Sequence, residues 1–217
     1  MKELKTNKIC TRSVFDETVP GITFNEKGEA NFCNIHDKLT AAYPRGEEGK
    51  QEWLNLVNKI KTKGKNKKYD CIIGVSGGTD SCYLLHLAKE YGLKPLAVNL
   101  DNGWNSEIAV ENIKKVISKL DIDLETYVID YEEIKDILHS YMKASLPWID
   151  TPTDLAITSI LYKIANSEGL KHILVGNDFR TEGKQPIEWT YGDTKQLKII
   201  QKLFGRDLPP FFLTIRT

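Results

Sequence analysis

One bend holds most of the chemistry in this sequence. Residues 71–92 read CIIGVSGGTDSCYLLHLAKEYG: a buried strand, a break at Gly77 and Gly78, then an amphipathic helix. The first N–H groups of such a helix lack partners, and the helix dipole adds partial positive charge there. Gly77 and Gly78 let the backbone approach an anion with no Cβ in the way. Ser76, Thr79 and Ser81 add hydroxyl donors, so the bend is a cradle for phosphate oxygens. Asp80 is the odd member, because a carboxylate repels phosphate. It fits there as a Mg²⁺ ligand or as a cap for the helix N-terminus. The pattern is S-G-G-x-D-S. No lysine follows the glycines, so it is not G-x-x-x-x-G-K-[ST], and it is not G-x-G-x-x-G either.

Alternating elements must position this bend. YDCIIGV (69–75) predicts a strand, and residues 79–91 a helix with Leu84, Leu87, Ala88 and Tyr91 inward. PLAVNL (95–100) is a second strand, and residues 106–120 a helix with Ile113, Val116, Ile117 and Leu120 on one face. ETYVID (125–130) is a third strand, followed by a helix through about Met142. Pro147 and Pro152 bound a loop, residues 153–168 form a helix, and HILVG (172–176) is a fourth strand. The alternation predicts an α/β fold: a mostly parallel, Rossmann-like sheet with right-handed crossovers and helices on both faces. Ligands of such sheets sit beyond the carboxyl ends of the strands. Those ends are Ser76–Ser81, Asp101–Trp104, Asp130–Tyr131 and Gly176–Asp178.

Upstream, residues 47–62 carry Trp53, Leu54, Val57 and Ile60 at helical spacing. Residues 1–45 look irregular: a short strand, a turn at Lys27–Gly28, and another short strand. The boundary between this small N-terminal segment and the α/β domain is placed at 45/46, the domain running over 46–217. The lysine-rich run KIKTKGKNKK reads as a solvated connector, with a basic patch for RNA as the alternative.

The bulk numbers bound the function. A chain of 217 residues with 41% hydrophobic content buries one sizeable α/β core. Lys+Arg and Asp+Glu are both 30, which speaks against a nucleic-acid or membrane-surface partner. The four cysteines, Cys10, Cys33, Cys71 and Cys82, are not a secreted disulfide framework. The N-terminus has no apolar signal core and no run reaches membrane-spanning length, so the expected location is the cytoplasm.

The S-G-G-x-D-S signature resembles the pyrophosphatase loop (PP-loop) of the N-type ATP pyrophosphatases. The resemblance implies an adenine nucleotide alpha hydrolase-like fold and an enzyme that cleaves ATP between the α and β phosphates. An oxygen of the substrate is adenylylated, pyrophosphate stays in the loop, and a nucleophile displaces AMP. By that analogy Ser76, Gly77, Gly78, Thr79 and Ser81 hold pyrophosphate, and Asp80 holds it through Mg²⁺. Ser76 and Asp80 are the catalytic candidates. Asp101 falls where the superfamily binds adenosine, and Gly176, with Asn177, is expected at the pocket rim.

Three blocks narrow the resemblance: ICTRSVFDETVPGITFNEKGEANFCNIHDK, the strand–loop–helix region through AVENI, and LVGNDFRTEGKQPIEWTYGDTKQLKIIQKLFG. Together they resemble the N-acetyl sugar amidotransferases. The implied reaction converts an acetamido group of a nucleotide-linked N-acetylated sugar to acetamidino. It serves surface polysaccharide, such as lipopolysaccharide O-antigen, or flagellin glycan synthesis. No cysteine lies between glycines and residue 2 is Lys2, so the chain carries no glutaminase nucleophile of its own. The resemblance implies separate glutaminase and cyclase-like partners that deliver ammonia. It also implies a C-terminal tail beyond LFGRDLPPFFLTIRT, absent from this chain. Thr181, Glu182 and Lys184 are polar candidates for substrate contacts.

The N-terminal segment carries Cys10-x-x-Ser13 and Cys33-x-x-His36. The spacing is that of a zinc-ribbon-like flap, where the family resembles two C-x-x-C pairs. Cys10, Cys33 and His36 are zinc donors; Ser13 is a poor one, so Asp16 or water would complete the site. His86, His139 and His172 read as structural. Trp104 and Trp148 read equally as packing residues and as stacking surfaces for adenine or sugar.

Two other functions use the same features. A tRNA-thiolating enzyme shares the loop, but no cysteine follows Cys82 to carry sulfur. A non-catalytic ATP-binding module would keep the glycines and have no need of Asp80.

Overall fold

Alternate side chains of residues 71–75 go to opposite sides of the backbone, and each side meets its own set of helices. The computed structural model describes residues 7–183 and 185–206. In chain order the elements are α1 (Asn31–Ala42), α2 (Gly46–Lys63), β1 (Cys71–Gly74), α3 (Thr79–Glu90) and β2 (Pro95–Asp101). Then come α4 (Glu107–Leu120), β3 (Leu124–Val128), α5 (Tyr131–Lys143), α6 (Thr151–Ser167) and β4 (Ile173–Leu174). The short helices α7 (Phe179–Glu182) and α8 (Ile187–Thr190) precede α9 (Thr194–Phe204). Two units emerge. One holds the described residues up to Gln51 with Asn177–Tyr191; the other holds Glu52–Gly176 and the described residues from Gly192 onward.

The larger unit is built on a four-stranded sheet in the order β3-β2-β1-β4, every pairing parallel. Ile73 sits opposite Ala97, and Ala97 opposite Leu124. Cys71, Ile73 and Val75 pack against Val57 and Ile60 of α2, Leu85 and Ala88 of α3, and Ile113 of α4. Ile72, Leu96 and Val98 pack on the other face against Ile160, Leu161, Ile164 and Ala165 of α6. A third cluster joins Ile134, Ile137 and Tyr141 of α5 to Ala156 of α6 and Leu197 of α9. Each fully buried aliphatic side chain contributes about 1.5–3 kcal/mol of hydrophobic stabilisation. The expected parallel α/β architecture is the one observed. From β1 the chain moves outward to β2 and β3, then returns to add β4 on the other flank of β1. That reversal is a topological switch point, and it opens a crevice at the carboxyl end of β1.

Details depart from the sequence reading. On α3 the fully buried apolar positions are Leu85 and Ala88; Leu84, Leu87 and Tyr91 are partly buried. Strand β3 ends at Val128, and β4 is only Ile173–Leu174. Pro152 lies in the first turn of α6, where its missing N–H costs nothing, so it starts that helix and does not bound a loop.

The smaller unit has isolated bridges Ile9–Asp16 and Phe24–Ala30 around the Gly28 turn. Residues 31–42, read as irregular, form α1. No side chain caps it, so the usual start signal is missing; Cys33 and Phe32 anchor it against Cys10 and Ala30. Ring contacts bring Asn177–Tyr191 into this unit, outside the 1–45 segment: Phe15 meets Trp189 at 5.9 Å, and His36 meets Phe179 at 5.7 Å. Among the described residues no helix is long and apolar enough to cross a membrane.

Candidate functional site

The S-G-G-T-D-S bend joins β1 to α3 at the switch point. Its entry is fixed by the sheet: Val75 N–H donates to Val98 O at 2.8 Å, and the buried Asn99 Nδ2 donates to Val75 O at 2.8 Å. Ser81 closes the bend from behind. Its Oγ accepts from Ser76 N–H at 3.2 Å, lies 3.2 Å from Ser76 Oγ, and donates to Gly78 O at 3.2 Å. The buried Ser81 therefore shapes the bend, while Ser76, Gly78, Thr79 and Asp80 are exposed.

Gly77 adopts φ +79°, a left-handed conformation that suits glycine. A Cβ there would stand 2.3 Å from Ala109 O of α4. Asn112, also on α4, donates from Nδ2 to Gly77 O at 3.0 Å. A cavity of about 490 Å³ lies along this flank, lined by Gly77, Gly78, Thr79, Lys115 and Lys119 among others. Neither Asn99 nor Asn112 stands out in the sequence. Asn99 had one signal, a lone amide in an apolar strand.

The N-cap of α3 is Gly78, and no side chain caps the helix. Of the two roles open to Asp80, capping is not the one adopted. Its exposed carboxylate in the first turn is a hard oxygen donor of the kind Mg²⁺ takes. Gly176, just after β4, lies against the same turn: a Cβ on it would stand 2.9 Å from Ser81 N and 3.0 Å from the Asp80 carbonyl carbon. Asp101 ends β2, and its Oδ1 accepts from Gly103 N–H at 2.9 Å. This turn sets Trp104 against Tyr131, ring centroids 5.0 Å apart.

Among the candidates after β4, Asp178 caps α7 by accepting from Arg180 N–H at 3.0 Å. Thr181 Oγ1 donates to Asp178 O at 3.3 Å, and Glu182 Oε1 accepts from Asp178 N–H at 3.2 Å. Both side chains are engaged in their own helical turn. Lys184 and the chain past Arg206 lie outside the described residues.

The described residues lend the zinc expectation no support. Cys10 Sγ and Cys33 Sγ are 3.7 Å apart, but no group of three or more His, Cys, Asp and Glu that could hold a metal occurs among the described residues. The His36 ring packs on Phe179, with Nδ1 3.9 Å from Asp37 Oδ1. Asp16, the proposed fourth donor, accepts from Thr18 N–H and Oγ1. Burial opposes ionisation of Cys10. Hydrogen bonds from Ser13, the N–H groups of Arg12 and Ala30, and Cys33 outweigh it and lower the thiol to about 6.

Comparison with known proteins bears on the larger unit. The family model "Queuosine biosynthesis protein QueC" matches residues 70–177. An uncharacterized protein of Methanocaldococcus jannaschii is 30% identical over 136 residues, 62% of this chain and 47% of its own length. The tRNA(Ile)-lysidine synthase of Chlamydia pneumoniae is 33% identical over 72 residues, 32% of this chain and 22% of its own. The chain thus spans about half or less of the curated relatives it matches. Among solved structures, NMN synthetase from Francisella tularensis is similar at a TM-score of 0.47 and 20% identity, over 76% of this chain and 73% of that one. The family match and the loop support the N-type ATP pyrophosphatase superfamily for residues 70–177. They are not specific to the N-acetyl sugar amidotransferases.

Proposed function

We propose that this chain is an ATP-dependent amidotransferase acting on the N-acetyl group of a nucleotide-linked sugar. The observation that carries the ATP chemistry is the bend: an open helix N-terminus at a switch point, with an exposed carboxylate two residues past two glycines. The sugar assignment rests on the resemblance of the three sequence blocks.

In this reading the N–H groups of the first turn of α3 and the hydroxyls of Ser76 and Thr79 bind the β- and γ-phosphates. Asp80 would hold magnesium, which when bound screens the phosphate charge. Asp101 and the rim at Gly176 orient adenosine. The acetamido oxygen attacks the α-phosphorus and pyrophosphate leaves. Ammonia then adds to the activated carbon, and the original amide oxygen departs with AMP. The nitrogen sheds protons to solvent, leaving an acetamidino group. Separate glutaminase and cyclase-like chains supply the ammonia.

The test incubates the protein with ATP, Mg²⁺, ammonium and a panel of nucleotide-linked diacetamido uronic acids. Mass spectrometry should find oxygen replaced by NH in the acceptor, with equimolar AMP. Glutamine-dependent turnover by the pure chain would defeat the proposed division of labour.

A second reading, modification of a base in tRNA or its precursor, is favoured by the match of residues 70–177 to the queuosine-biosynthesis model. A salt-dependent shift of tRNA on addition of the protein, with silence on every acetamido sugar, would select it.

A further inference from the structure

Two thiols face each other inside the smaller unit. Cys10 Sγ and Cys33 Sγ lie 3.7 Å apart across 23 positions of chain, and both cysteines are buried and unlinked. Separate pieces of backbone hold the two sulfurs. Cys10 N–H donates to Phe15 O at 2.7 Å within the turn closed by the Ile9–Asp16 bridge, and Cys10 Sγ accepts from Ala30 N–H at 3.2 Å. Cys33 sits in the first turn of α1, its N–H donating to Ala30 O at 2.9 Å. A disulfide puts its sulfurs about 2.0 Å apart, so closure asks for a movement of about 1.7 Å, within the reach of side-chain rotation. Cys71 and Cys82 belong to the larger unit, in β1 and α3.

The neighbours that would turn this pair into a metal site are engaged elsewhere. Ser13 Oγ accepts from Phe15 N–H at 3.4 Å, the His36 ring packs on Phe179, and Asp16 accepts from Thr18 N–H. Two sulfurs alone do not make the four-donor set of a structural metal. Among the described residues the buried cluster of this unit is Cys10, Ala30 and Cys33, with Ile22, Phe24 and Phe32 partly buried against it. A cross-link adds stability that so small a core lacks. We propose that Cys10 and Cys33 form a reversible dithiol–disulfide site whose oxidant is a peroxide. One sulfur attacks an oxygen of hydrogen peroxide; the O–O bond breaks, a water leaves, and a sulfenic acid forms. The other sulfur attacks the first, its proton leaves with the displaced hydroxyl as a second water, and the S–S bond closes. Two thiols thus give up two electrons, and one peroxide is reduced to two waters. A small oxidant suits residues only 5% and 9% exposed. The site is independent of the substrate that the phosphate bend serves.

The test treats the full chain with a few equivalents of hydrogen peroxide, weighs it intact, then alkylates it and digests it with trypsin without reductant. The intact mass should fall by two hydrogens. The digest should hold residues 9–12 joined to residues 28–38, the tryptic peptides of Cys10 and Cys33, and dithiothreitol should separate them. The closed loop should slow limited proteolysis after Lys27 about tenfold, because the cross-link removes open conformations of the segment. Cys33→Ser should lose both the link and the protection. Absence of the joined peptide, or links from Cys10 or Cys33 to Cys71 or Cys82 in its place, overturns the proposal. So does zinc that stays at one per chain through dialysis and blocks the link, because the pair would then be metal donors.

Discussion

Asn112 on α4 donates its side-chain amide to the carbonyl of Gly77, 3.0 Å away. With Asn99 on Val75 O at 2.8 Å, it brackets the phosphate bend by two carbonyls two residues apart. Both amides turn carbonyl oxygens, the groups most repulsive to phosphate, toward protein. The bend is therefore organised before any ligand arrives, which lowers the cost of binding.

That bracket predicts two different losses. Asn99 is buried, so Asn99→Ala leaves Val75 O without its side-chain donor and should cost about 1–3 kcal/mol in urea unfolding. Asn112 is exposed, so Asn112→Ala should leave the unfolding midpoint nearly unchanged. It should weaken an ATP analogue about fivefold, the equivalent of one hydrogen bond of about 1 kcal/mol. Equal effects of both changes on stability and binding would contradict the bracket.

Gly176 makes a steric prediction. A Cβ at this position meets Ser81 N and the Asp80 carbonyl carbon, both backbone atoms of the phosphate turn. Gly176→Ala should therefore shift the first turn of α3, costing about 1–3 kcal/mol of stability, and should weaken the ATP analogue. Gly183→Ala is the control: its neighbourhood is open, and only its left-handed backbone resists, so it should leave the analogue's affinity unchanged. Calorimetric titration of both variants decides.

The strand, bend and helix around residue 77 are legible in the sequence because three signals coincide there: an apolar run, two glycines and a helical period. Asn112 is not legible. On a helix surface it reads as a solvated side chain, and its partner lies 35 residues away across a packing contact that no local pattern encodes. His36 shows the opposite case. Its spacing from Cys33 suits a metal knuckle, but spacing does not fix side-chain direction, and the ring turns to Phe179. Residues 31–42 hid a helix because neither a capping side chain nor a strong apolar stripe marks its start.

Acid should act on the edge strand. The Tyr69 hydroxyl donates to Asp123 Oδ2 at 2.6 Å, and Lys68 Nζ lies 2.9 Å from the same oxygen. The Tyr69 hydrogen bond first, and Lys68 second, hold the Asp123 carboxyl below the usual carboxylate range. A depressed folded value means the unfolded chain takes up the proton first. The contribution is thus complete above the ordinary value of about 3.9 and is lost as pH falls through the lower folded value. Thermal midpoints should fall less steeply for Asp123→Asn than for the unsubstituted chain below pH of about 4. Parallel curves would show that this carboxylate does not report on folding.

Asp80 carries the sharpest test of the phosphate site. It is exposed, does not cap α3, and takes part in no packing cluster, so Asp80→Asn should keep the thermal midpoint within about 2 °C. Its role under the proposed chemistry is to hold Mg²⁺ against the pyrophosphate. ATP–pyrophosphate exchange with acceptor present should therefore fall about 100-fold or more, the scale of losing one charge-stabilising group. Chelating Mg²⁺ should bring the unsubstituted chain down to the level of Asp80→Asn while leaving the variant unaffected. If the variant instead loses a further factor on chelation as large as the unsubstituted chain does, Mg²⁺ is held elsewhere. The carboxylate would then act on the loop by charge alone.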